Sequence, residues 1–291
     1  MTDHPIDLTP LPANFPQDFL PDRSLLARLL AFAAAHGGGT KVEIGLETGI
    51  PTGQSTGKVE PMIHYARGMG LVAADKTGGR WELRLTDLGA VVYAGDRYLD
   101  EMVTLWALHL LLCRRAGASS PALGIADPWF ALFAEGGTRL GNSFERAAYL
   151  IFLTERQGQK GYLRSLSGLV PRSYTEATCL GPIKALVLEG RDVYRRQPAP
   201  DERDCFPAYT LALFLAWDSL FPQERQVGLE SLFQRSRLLD VLGWGRAQSE
   251  RWLTWMVNRG LLQFDRLTGG TMVLRLGETQ LAIRSLYDES I

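Results

Sequence analysis

The segment from Ile44 to Thr86, IGLETGIPTGQSTGKVEPMIHYARGMGLVAADKTGGRWELRLT, spells two short helices, a strand, a Gly-Gly turn and a second strand. That order predicts a winged helix, a module that mostly reads DNA or docks proteins. Val59, Met62, Ile63, Ala66 and Met69 recur at helical spacing and form one apolar face. Glu60, His64 and Arg67 share the opposite face and are expected to look outward. Pro61 has no N–H to donate; it either opens this helix with Glu60 as cap, the reading favoured here, or kinks a helix begun near Ser55. Gly70 suits the left-handed residue that closes a helix, and Leu71, Val72 and Ala73 follow as a short buried strand. Asp75 to Gly79 then forms a loop. Trp81, Leu83 and Leu85 alternate with Glu82 and Arg84, the period-two pattern of a half-buried strand, and Gly78-Gly79 supports a hairpin as the wing. Thr86 caps a short apolar helix through Tyr93.

Around this segment the chain divides into four regions. Residues 1–21 carry five of the fifteen prolines and no periodic apolar face, so they are expected to form an extended arm. Asp22 caps a helix from Arg23 to His36, which opens a winged-helix module over 22–95. Residues 96–197 are expected to form a helical hub. It would hold a helix over Tyr98 to Arg115, an aromatic turn at Trp129, Phe130 and Phe133, a helix from Phe144 to Arg156 opened by Ser143, and a helix over Leu180 to Leu188 before an extended Val193-Tyr194. The turn QPAPDERD marks a boundary. Beyond it, 205–291 carries helices at Tyr209 to Leu220, Leu229 to Leu242 and Arg246 to Asn258, then Leu261 to Phe264, a Thr268-Gly269-Gly270 turn and Met272 to Leu276. Arg259-Gly260-Leu261-Leu262 echoes Arg67-Gly68 through Leu71-Val72, so a second winged helix is expected at this end. The fold class is thus mainly α (α+β), with tandem winged-helix modules joined by a helical hub.

A chain of 291 residues with 46% hydrophobic content is long enough for about two domains with real cores. Its longest apolar runs, Val103 to Cys113 and Tyr209 to Trp217, are too short to span a bilayer, and no basic-then-apolar leader is read at the start. A soluble, cytoplasmic protein is expected. Cys113, Cys179 and Cys205 are far apart and never in a C-x-x-C pair, which points to reduced thiols rather than disulfides or a zinc site.

Near-neutral charge, 31 Lys and Arg against 32 Asp and Glu, counts against strong autonomous DNA binding. The DNA-facing candidates are Lys58, His64 and Arg67 with Arg80 and Arg84 on the first wing, and Arg246, Ser249 and Arg251 with Arg266 on the second. Against them stands a solvated face, since 1–95 holds eight Lys and Arg to ten Asp and Glu. Trp252, Trp255 and Met256 fit core or a partner surface equally. Arg156, Lys160, Arg164 and Arg172 beside Tyr162 fit a solvated helix end better than a phosphate-facing patch.

Two nucleotide motifs fail on inspection. TGQSTGKV has Thr52 where a phosphate loop needs glycine and Val59 where it needs Ser or Thr, and no strand feeds it. Gly68-Met69-Gly70 closes a helix instead of opening one, the reverse of a dinucleotide fingerprint. His4, His36, His64 and His109 show no metal-ligand spacing and there is no G-x-S-x-G elbow, so a non-enzymatic protein without metal or cofactor is expected. Carboxylates brought together only by folding remain the route to a hydrolase or nuclease.

STGKVEPMIHYARGMGLV, LTDLGAVVYAGDRYLDEMVTLWALHLLL and DPWFALF resemble successive blocks of a bacterial domain-of-unknown-function family, number 4007. Its members share a Gly-Lys-Val helix, an L-T-x-L-G turn, an acidic stretch and a T-L-W-x-L-H helix. The resemblance covers about the first half of the chain. Phe15, Asp18, Phe19 and Arg23 fit the family's opening pattern loosely, with Gln17 where members carry His. Members occur beside sulfotransfer-type genes in islands for DNA phosphorothioation and phage defence. The resemblance implies an accessory DNA-binding or scaffolding component of such a system; with two wing-like hairpins and balanced charge, the expectation is a protein that binds double-stranded DNA weakly alone and assembles with other subunits of a modification or defence complex. The alternatives are a protein-interaction scaffold that does not touch DNA and a transcriptional regulator.

Overall fold

The computed structural model describes residues 5–53, 57–267 and 270–288; of Arg266 and Leu267 only the backbone is described. It is a mixed α/β chain, mainly helical, with three small antiparallel sheets.

Asp22 accepts hydrogen bonds from the N–H groups of Ser24 and Leu25 and starts α1 (Arg23–Ala34). After β1 (Gly38–Gly39), Thr40 and Glu43 form a capping box on α2 (Lys41–Thr48). Then come α3 (Val59–Gly68), β2 (Val72–Thr77), β3 (Arg80–Leu85) and α4 (Asp87–Gly95). Helix α3 begins at Val59, so Pro61 is its third residue and not its first. The position is still harmless, because N–H groups in the first turn have no intrahelical acceptor. Asp75 to Thr77, expected in a loop, extend β2 through pairing with β3, and Thr77 pairs with Arg80 across Gly78 and Gly79, whose φ angles of 59° and 81° make the two-residue turn that matches strand twist. Residues 54–56 of the rejected phosphate-loop motif lie outside the described residues.

The next elements are α5 (Met102–Leu112), buried from Val103 onward, and α6 (Asp127–Phe130), which runs through a π-helical turn at Ala131–Glu135 into α7 (Gly136–Leu140). Here the expectation of a purely helical hub needs correction. Ser143 does not open a helix. Ser143–Glu145 is β4, followed by α8 (Arg146–Gln157) and α9 (Leu163–Arg172). The helix expected over 180–188 is replaced by a 3-10 turn at Gly181–Ile183 and a strand, β5 (Leu186–Gly190), which pairs with β6 (Val193–Arg196). Gly181 and Pro182 stop a helix, and pairing with β6 decides the ambiguous apolar run that follows.

The last part holds α10 (Phe206–Leu220), β7 (Gln226–Gly228), α11 (Leu229–Ser236), α12 (Leu238–Leu242), α13 (Arg246–Asn258), β8 (Leu262–Leu267), β9 (Gly270–Arg275) and α14 (Thr279–Arg284). The single helix expected over 229–242 is broken at Arg237, whose φ of 59° is left-handed. Thr268 and Gly269 of the expected turn lie outside the described residues.

All three sheets share one topology. Their strand orders are β1-β3-β2, β4-β6-β5 and β7-β9-β8, each first-third-second with helices between the first and second strands. One apolar core runs through the three units, with α5 packed along α10 at its centre. Gln280 donates to Asp87 at 2.7 Å, fastening the last unit to the first, and the hydroxyls of Thr104 and Tyr287 lie 2.8 Å apart, fastening it to α5. Residues of the N-terminal arm are packed down, with Leu11 and Phe15 buried. No helix of the described residues is long and apolar enough to cross a membrane.

Candidate nucleic-acid interface

Phosphate contact needs cations whose charge is not already spent on carboxylates. In the first unit five of the eight cations are spent in this way, and Arg28, Lys41 and Lys58 make no ion pair among the described residues. Arg67 does not look outward; it is 17% exposed and pairs with Asp7 of the arm at 2.5 Å. His64 is also turned in, packed edge-on against Phe15 and Trp81, and burial pulls its pKa down to about 4 with help from Arg67 and Lys76. The arm thus covers the face expected to read DNA. Glu60, expected outward beside them, pairs with Lys76 at 2.5 Å. Arg80 on the hairpin pairs with Glu43 at 2.9 Å and Arg84 with Glu82 at 3.3 Å. Lys58 lies half-buried, its ammonium 5.9 Å from the centre of the Phe19 ring.

The last unit is similar. Arg246 pairs with Glu250 at 2.6 Å and Arg251 with Asp201. Ser249 is buried and donates to the Gly245 and Arg246 carbonyls. Only the backbone of Arg266 is described, in β8. Trp252 and Met256 are core, with the Trp252 indole donating to Thr210 at 3.1 Å. Trp255 alone of that group reaches a surface cleft, beside Phe206 and Thr254.

The middle unit differs in kind. Residues 136–197 carry ten Lys and Arg against five Asp and Glu, while the chain as a whole has a net charge of −1. Lys160, Arg164, Lys184 and Arg191 are exposed, and none makes an ion pair among the described residues. Arg156, grouped with Lys160 and Arg164 by sequence, is partly buried instead: it holds Asp127 through two 2.8 Å bonds and Glu135 through another. That clamp ties α8 to the DPWFALF segment and explains the aspartate of the motif.

Sequence reasoning missed Arg146 and Arg191. They meet Arg164 in a cleft of about 360 Å³ between the start of α8, the start of α9 and the β5–β6 turn. Arg146 is the first residue of α8; its Nε donates to Ser167 Oγ at 3.4 Å and its Nη2 to the Arg164 carbonyl at 2.9 Å. A Cβ at Gly168 would lie 2.9 Å from the Arg146 Cζ, so glycine leaves room for the guanidinium to lie across α9. The missed signal was the segment's charge count.

The histidines and cysteines offer little chemistry. His109, fully buried, meets the Tyr174 hydroxyl at 2.7 Å, and burial lowers its pKa to about 3. Burial raises all three thiols, Cys179 and Cys205 to about 11, which keeps them protonated and poor nucleophiles.

No family model matches this chain, and no curated protein matches it. Its fold is similar to a crystal structure of SspB, with a TM-score of 0.69, and to a magnesium ion-bound SspB crystal structure, with a TM-score of 0.71. Each shares 13% identity and covers 95% of this chain and 87% of that one. Magnesium takes carboxylate and water oxygens. Among the described residues no group of three or more His, Cys, Asp or Glu side chains is gathered to hold a metal.

Proposed function

We propose that this chain is a non-enzymatic, cytoplasmic DNA-binding and scaffolding component of a DNA-modification or phage-defence assembly, and that the middle unit makes its main DNA contact. The observation that carries the reading is the excess of cations over carboxylates on 136–197, ten to five, set against the slight acidic excess of the other two units, where about half or more of the cations are ion-paired. The shared first-third-second sheet order, with helices before each hairpin, supports reading all three units as winged helices. In that fold the helix before the hairpin and the hairpin itself approach the duplex, which for the middle unit means α9 and the β5–β6 turn. The motif blocks that resemble the phosphorothioation-island family support the setting, as does the fold shared with SspB. Units one and three, which carry no excess of cations, would face partner subunits.

The test is a fluorescence-anisotropy titration of the full chain with duplex DNA over a series of salt concentrations. Lys160, Lys184 and the neighbouring Arg164 and Arg191, engaging three to four phosphates between them, give a log-log salt slope of roughly −3 to −4. No binding at the lowest salt would remove DNA from the reading and leave the scaffold.

A further inference from the structure

We propose that the cleft formed by Arg146, Arg164 and Arg191 is a receptor for a single phosphate group. This rests on the DNA-binding reading and narrows it to one contact. Three arginines line a cleft of about 360 Å³, a space that admits one phosphate and its first waters. They come from three separate elements: α8 through Arg146, α9 through Arg164, and the turn between β5 and β6 through Arg191. Arg146 is held in place by Ser167, whose hydroxyl donates to the Arg164 carbonyl at 3.0 Å, and by the bare surface of Gly168. Its backbone N–H donates to the Asp192 carbonyl at 2.9 Å, locking the start of α8 to the turn. A guanidinium fixed in this way loses little freedom when it forms paired hydrogen bonds to phosphate oxygens.

Two carboxylates, Glu145 and Asp192, also line the cleft, and neither forms an ion pair with the three arginines among the described residues. The corresponding place in the first unit is built the opposite way. There the hairpin cation, Arg80, is held by Glu43 in the first turn of α2. Both helices begin with a cation, Lys41 and Arg146, but the middle unit has Ala148 where the first has Glu43, so its hairpin cation is not cancelled.

The probes are a duplex with 5′-hydroxyl ends, the same duplex with 5′-phosphate ends, and inorganic phosphate. The variants are Arg164→Gln with Arg191→Gln, both exposed positions, and Gly168→Ala, which displaces the Arg146 guanidinium; circular dichroism and thermal melting check that each folds. Both variants should bind duplex about tenfold more weakly, with a salt slope smaller by about one, the loss of one phosphate contact. Inorganic phosphate should compete with duplex on the unaltered chain and not on the double variant. Equal affinity for the two duplexes assigns the cleft to a backbone phosphate; tighter binding of the phosphorylated ends assigns it to a terminal one. A folded double variant that keeps its affinity and its slope overturns the proposal. If the unaltered chain binds no duplex, the DNA-binding reading falls. The cleft is then judged by calorimetry with inorganic phosphate, where binding lost in the double variant keeps it and no binding to the unaltered chain overturns it.

Discussion

His64 illustrates how one residue's role is set by its surroundings. Buried against Phe15 and Trp81, it has a pKa of about 4, against 6.5 for a free histidine, so the folded chain keeps it neutral. As pH falls, the unfolded chain takes up its proton first. The stability that depends on neutral His64 is therefore complete above about pH 6.5 and is lost between there and about pH 4, on the order of 3 kcal/mol. His109, lowered to about 3 by burial, acts with the same sign. His64→Phe keeps the aromatic packing and removes the titration. Urea midpoints measured between about pH 7 and about pH 5 should fall less steeply for that variant than for the unaltered chain. Parallel slopes would locate the acid sensitivity elsewhere.

Among the elements, the LTDLG turn shows why a short motif is worth its residues. Thr86 caps α4 by accepting from the Gly89 N–H at 2.9 Å while its hydroxyl donates to the Gly70 carbonyl at 2.5 Å. A Cβ on Gly89 would sit 1.9 Å from the Leu71 carbonyl oxygen, a backbone atom that cannot swing aside. Gly89→Ala must therefore push α4 away from the start of β2. We expect a loss of about 3 kcal/mol, read as a lower urea midpoint at unchanged m-value. The T-L-W-x-L-H helix has a comparable explanation in packing: Thr104 meets Tyr287, while Trp106 and His109 are buried against one another and against Tyr209 and Tyr174. The motif residues that look chemical in sequence are here fasteners of the core.

For the whole molecule, near-neutral charge conceals a strongly uneven distribution. Both flanking units are slightly acidic, with eight Lys and Arg to ten Asp and Glu over 1–95 and ten to twelve over 198–291. The middle unit is basic. Lys160→Gln combined with Lys184→Gln should weaken duplex binding several-fold and reduce the salt slope, whereas Lys58→Gln combined with Arg67→Gln should leave both nearly unchanged. The reverse result in the anisotropy titration would return the interface to the first unit. The same unevenness gives the flanking units a different use, since surfaces with internally paired charge suit contact with other subunits better than contact with a polyanion.

By itself the sequence determined the elements whose signals are local. The apolar face of α3, the Gly78-Gly79 hairpin, the Thr86 cap and the two strands after α13 all depend on spacing and turn chemistry within a few residues, and each element formed close to where it was read. Tertiary structure decided what local pattern leaves open. Leu186 to Gly190 became a strand because β6 was there to pair with it, and Ser143–Glu145 became one for the same reason. It also decided which cations are free. Whether an arginine can meet a phosphate depends on whether a carboxylate from elsewhere in the chain has reached it first, as Asp7 reaches Arg67 and Asp201 reaches Arg251. Ion pairs between residues distant in sequence leave no mark on hydrophobic periodicity, so only the folded chain could move the candidate interface from the outer units to the middle one.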